Sequence, residues 1–110
     1  VTKLLHAVHR ILLYVPHRDI AGKLLESLAS QGYLAAAVAD HEEFLTSLRQ
    51  DHYDVVVTGT RHVREVRAGG HHPIINYEVF IHRHQSGEPR TYFHMDDFIN
   101  RIRFYTGAAV

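Results

Sequence analysis

Residues 53–59 read Tyr-Asp-Val-Val-Val-Thr-Gly, and the run Asp54 to Thr58 within them is the clearest strand in the chain. Three β-branched valines in a row suit a pleated, buried surface, and Gly59 punctuates the end. Working outward toward the N-terminus, Leu34 to Val38 is a second, alanine-rich strand candidate. Arg10 to Val15 (RILLYV) is apolar nearly throughout and stops at Pro16, which predicts a strand covered on both faces. Helical patterns separate these strands. Asp19 is placed to cap a helix running through Ser30, with Ile20, Leu24, Leu25 and Leu28 on one side and Gly32 as its left-handed stop. Asp40-His41-Glu42-Glu43 opens a second helix in the manner of a capping box, with Phe44, Leu45 and Leu48 as its apolar stripe.

Toward the C-terminus the pattern loosens. Arg61 to Ala68 is polar apart from Val63 and Val66, enough for a turn or two of helix before Gly69-Gly70 breaks it. Pro73 to Tyr77 is a fourth strand candidate. Glu78 to His84 alternates, Gln85 to Glu88 has turn composition, and Thr91 to His94 fits either a hairpin arm or a fifth parallel strand. Asp96 is placed to cap a last helix with Phe98, Ile99, Ile102 and Tyr105 on one face, stopped by Gly107. Its Arg101 and Arg103 lie toward the C-terminal end, matching the helix dipole. Strands alternating with helices predict an α/β fold with a doubly wound, mostly parallel, five-stranded sheet and a shortened or irregular fourth crossover. The domain is expected over residues 10–107, preceded by an incoming linker or helix tail (1–9) and followed by a short tail (108–110).

Composition bounds the function. At 110 residues there is one core, and 45% apolar with 22% charged residues is ordinary globular usage. Twelve basic residues balance twelve acidic ones, so no bulk field draws the chain to nucleic acid or to anionic membrane. Eleven histidines are the anomaly, and near pH 6 they would begin to turn the domain basic. The absence of cysteine excludes disulfides and thiolate chemistry. No apolar run approaches the length of a membrane span and no signal-peptide pattern opens the chain. The chain begins at Val1, as an excised piece of a longer cytoplasmic protein would.

The pattern from Arg10 to Tyr105 resembles the receiver domain of two-component response regulators. Ile11 to Val15 resembles its first strand, Gln31-Gly32-Tyr33 its first helix stop, Ala39-Asp40 its second crossover, and Tyr53 to Val57 the strand that delivers the phospho-acceptor. The resemblance implies an acidic pair after the first strand, where Val15 and Pro16 stand, and an acceptor aspartate after the third, where Gly59 stands. The hydroxyl residue implied after the fourth strand falls near Glu78, and the lysine-proline after the fifth falls near His94 and Met95. Aspartyl phosphate requires a carboxylate nucleophile and a divalent ion, and neither valine, proline nor glycine supplies them. The resemblance thus implies a pseudo-receiver, a non-enzymatic regulatory domain needing no cofactor. It would dock on other domains of its own signalling protein, on a kinase or output partner, or on a second copy of itself.

Three constellations compete with that expectation. A nucleotide second messenger would sit at the carboxyl ends of the strands, beside His17, Arg18, Thr58, Thr60 and Glu78, with Tyr77 or Tyr92 stacking on a base. Arg61, Arg64 and Arg67 recur every third residue and with Arg83 and Arg90 would make an anion-binding or docking surface, joined by Tyr92, Arg101 and Tyr105. Solvated arginines are the commoner outcome, and Glu65 interrupts the field. His82, His84 and His94 would bind a metal if a hairpin brought them together, against the blander expectation of solvated polar residues on an edge strand. No recognition helix or net positive charge points to DNA. Thr58-Gly59-Thr60 lacks the further glycines and the lysine of a phosphate loop.

Overall fold

Ile11 to Val15 are all 0–2% exposed, because the strand they form lies at the centre of a sheet with helices on both sides. The computed structural model describes residues 8–83 and 91–107. Strand β1 (Arg10–Tyr14) leads to helix α1 (Arg18–Ser30), β2 (Leu34–Val38), α2 (His41–Gln50) and β3 (Val55–Thr58). A 3-10 turn (Thr60–His62) runs into the short α3 (Val63–Ala68), followed by β4 (Ile74–Asn76) and a second 3-10 turn (Tyr77–Phe80). The chain closes with β5 (Ile81–Arg83), β6 (Thr91–Phe93) and α4 (Met95–Thr106).

The main sheet has the order β2-β1-β3-β4 and every pairing in it is parallel. Alternate side chains of each strand point to opposite faces, so a continuous apolar strand feeds two cores. Ile11, Leu13, Val55 and Val57 pack with Leu24 and Leu28 of α1 and with Phe98 and Ile102 of α4. Leu12, Tyr14 and Val56 pack on the other side with Phe44 of α2 and Val66 of α3. Each fully buried Leu, Ile, Val or Phe contributes roughly 1.5–3 kcal/mol, so the central strands hold both layers. The arrangement is a three-layer α/β sandwich compatible with a doubly wound fold.

Among the described residues the parallel sheet has four strands, not five. Of the two alternatives for Thr91 to His94, hairpin arm or fifth parallel strand, the structure shows the first: Thr91–Phe93 pairs antiparallel with β5 as a separate two-stranded ribbon. Ile81 faces Phe93 and Arg83 faces Thr91 in that register. Because β4 is the last strand of the parallel sheet among the described residues, the expected fourth crossover has no strand to reach; β4 is followed instead by a 3-10 turn and the ribbon. The expected linker or helix tail over 1–9 falls mostly on residues 1–7, which lie outside the described residues, as do the tail 108–110, His84 and Arg90.

Helix ends differ in detail from the expected caps. His17, not Asp19, caps α1: its Nδ1 accepts the Ile20 amide at 3.4 Å, and Asp19 falls in the first turn. Asp96 likewise sits in the first turn of α4, whose N-cap position is His94, with no hydrogen bond from its side chain to the helix's first amides. Asp40 caps α2 as expected, its Oδ1 accepting the Glu43 amide at 2.9 Å. Gly32 (φ 87°) ends α1 with its amide on Ala29 O and the Tyr33 amide on Leu28 O, a Schellman turn that an L side chain would strain. Gly107 (φ 74°) ends α4 in the same left-handed region.

Candidate functional site at the carboxyl edge of the sheet

Parallel strands deliver their last residues to one edge, and two polar groupings form there. The first surrounds Gly59, the residue after β3. A Cβ at this position would lie 2.7 Å from Glu78 Oε1 and 3.1 Å from Tyr77 Cε2, so the turn after β4 closes over the glycine. Asn76 ties that turn down: its Oδ1 accepts the Glu78 amide at 3.0 Å and its Nδ2 donates to Thr60 Oγ1 at 2.8 Å. Thr58 is fully buried and its hydroxyl donates to the Tyr14 carbonyl at 2.8 Å, locking β3 to β1 and leaving no free hydroxyl proton at the strand end.

The second grouping lies on the α2–α3 face. Tyr14, the last residue of β1, donates its hydroxyl to Glu65 Oε2 at 2.9 Å. His41 Nδ1 approaches the same oxygen at 3.1 Å, and His62 Nδ1 approaches Oε1 at 3.3 Å. A carboxylate only accepts, so each imidazole must present Nδ1–H to it. The Tyr14 ring stacks on Phe44 at 4.9 Å and on His62 at 4.7 Å. Burial first, then the hydrogen bond to Glu65 and the nearby charges of Glu65 and Asp40, push the Tyr14 phenol up to about 12. The hydrogen bond from Tyr14, with His62 and His41 adding to it, holds the Glu65 carboxyl below its usual range. The result is a neutral phenol and an ionised carboxylate that pins the starts of α2 and α3 to the end of β1. It positions elements and presents no nucleophile.

Of the residues expected to line a nucleotide crevice, Thr60 and Glu78 are joined through Asn76, while Thr58 is sealed inside the sheet. His17 is spent on the α1 cap, and neither it nor the exposed Arg18 bonds to the others among the described residues. The arginine face is broken, because Arg61 belongs to the 3-10 turn and only Arg64 and Arg67 share α3. All three are exposed, as are Arg101, Tyr92 and Tyr105. The hairpin that a histidine metal site needs does form, with β5 carrying His82 and Arg83. His84 lies outside the described residues, and among those described no three His, Cys, Asp or Glu side chains are placed to hold a metal. No helix among the described residues is long and apolar enough to cross a membrane.

The grouping of Tyr14, His41, His62 and Glu65 was not expected from the sequence. Its one local signal is the i,i+3 spacing of His62 and Glu65; the rest is convergence of residues far apart in the chain. Comparison with protein-family models, with curated proteins and with solved structures finds no match to this chain.

Proposed function

We propose that this chain is a pseudo-receiver, a regulatory domain that works by docking rather than by accepting phosphate. The observation that carries this reading is the corner at Gly59. In the parallel sheet of order β2-β1-β3-β4, Gly59 follows β3 where a receiver would carry its acceptor; it has no carboxylate, and a Cβ there would have to displace the exposed Glu78 side chain, 2.7 Å away, and crowd the Tyr77 ring at 3.1 Å. The residues after β1 are Val15, buried, and Pro16, so no acidic pair stands ready for a divalent ion. Phosphoryl transfer is almost entirely positioning and charge stabilisation, and this corner offers neither. Exposed Phe104, Tyr105 and Val79, with Arg101, give α4 and the turn before β5 the mixed aromatic and arginine surface typical of contact patches.

The test is incubation of the domain with a small acyl phosphate and Mg²⁺, followed by intact-mass measurement. The expected result is an unchanged mass. A stable gain of one phosphoryl group on an aspartate or on Glu78 would overturn the proposal.

A further inference from the structure

A recess on the opposite face of the sheet from Glu65 shares only Tyr77 with the groupings described above. It is a cavity of about 280 Å³ between the first turns of α1 and the β5–β6 ribbon. Ile20 and Leu24 of α1, Ile81 and Phe93 of the ribbon, and Tyr77 from the turn after β4 line it. Tyr77 is the same side chain that abuts Gly59, so the recess adjoins the carboxyl edge, where open α/β sheets receive their ligands.

Its polar equipment is sparse and of one kind. Among the described residues Lys23 is the only charged one lining it, and it makes no ion pair with any of them. Tyr77 is 9% exposed, and its hydroxyl, which reaches solvent, has no hydrogen-bond partner among the described residues either. Lys23 and Tyr77 thus bring an ammonium and a phenol, both donors, to an otherwise apolar lining. An apolar pocket with a few convergent polar groups is the usual form of a small-molecule site, and this volume lies just below the range for drug-sized ligands. A nucleotide messenger would bring more phosphate charge than one lysine offsets. The wall carries aromatic rings from Tyr77, Tyr92 and Phe93, which favour a planar partner through offset or edge contacts.

We propose that this recess binds a small aromatic monocarboxylate, its ring against the α1–ribbon wall and its carboxylate on Lys23 and the Tyr77 hydroxyl. The proposal stands apart from the pseudo-receiver reading: a domain that did accept phosphate could still hold such a ligand.

Titration of the whole chain with 3-phenylpropionate, followed by methyl NMR of Ile20, Leu24 and Ile81, tests it. Saturable shifts confined to those methyls are expected, with Kd below about 1 mM. The uncharged isostere 3-phenylpropanol and the aliphatic acid hexanoate should each bind about tenfold more weakly, and Lys23→Gln should weaken 3-phenylpropionate by about tenfold. Lys23 is exposed, so this variant keeps its fold, which far-UV circular dichroism checks. Non-saturating shifts, equal binding of the alcohol, equal binding of hexanoate, or an unchanged Kd in Lys23→Gln would each overturn the assignment. The acyl-phosphate experiment is indifferent to all of these results.

Discussion

The Tyr14 hydroxyl ends a buried strand with the Glu65 carboxylate as its acceptor, 2.9 Å away. Replacing Tyr14 by Phe keeps the stacking on Phe44 and His62 and removes only that bond, so the expected loss is about 1 kcal/mol in urea unfolding. The pH dependence has a definite sign. With its phenol raised from 10.0 to about 12, folded Tyr14 holds its proton more tightly than the unfolded chain does. The stabilisation is complete below about pH 10 and is lost as pH rises through the folded value. Tyrosinate absorbance should therefore show a late-titrating class, lost in Tyr14→Phe except for the Tyr77 contribution, which burial also raises. A Tyr14→Phe stability equal to that of the parent at neutral pH would contradict this account. At this scale the sequence was informative where chemistry is intrinsic: Gly59 cannot accept phosphate in any fold. It was silent where chemistry depends on neighbours. Thr58 looked available because its partner, the Tyr14 carbonyl, lies 44 residues away in the chain.

Among the elements, α1 is held at its start by a weak cap. His17 accepts the Ile20 amide at 3.4 Å, a long bond for a cap. Asp accepts more readily there and also complements the helix dipole, so His17→Asp is expected to stabilise the domain by about 0.5–1 kcal/mol. An upward shift of the thermal midpoint checks this; a fall would show that His17 does more than cap. Strands β1, β2 and β3 and the caps at Asp40, Gly32 and Gly107 were legible because each is written in local composition. Residues 78–94 were not, since strands of three residues carry too little periodicity to separate a ribbon from a crossover. The caps at His17 and His94 are not legible in the sequence for a related reason. An aspartate two residues further on is the stronger sequence signal, yet in both helices it falls within the first turn.

The molecule as a whole is two cores sharing one sheet. Phe44 and Phe98 are both fully buried, one on each side, and each contacts strands that also serve the opposite layer. Phe44→Ala and Phe98→Ala should each cost about 3–5 kcal/mol. Because β1 and β3 belong to both cores, NMR signals from either face should disappear at the same urea concentration in each variant. Separate midpoints for the two faces would show that the sheet does not couple them. The strand order has a kinetic consequence too. Arg10 pairs with Leu34, Ile11 with Val55 and Val56 with Ile74, so every main-sheet pairing waits for a distant segment to arrive. The ribbon of β5 and β6, the one antiparallel pairing among the described residues, lies outside that sheet and cannot seed it. Refolding should therefore be paced by loop closure around the first strand, at the speeds of mixed α/β domains rather than of helical bundles.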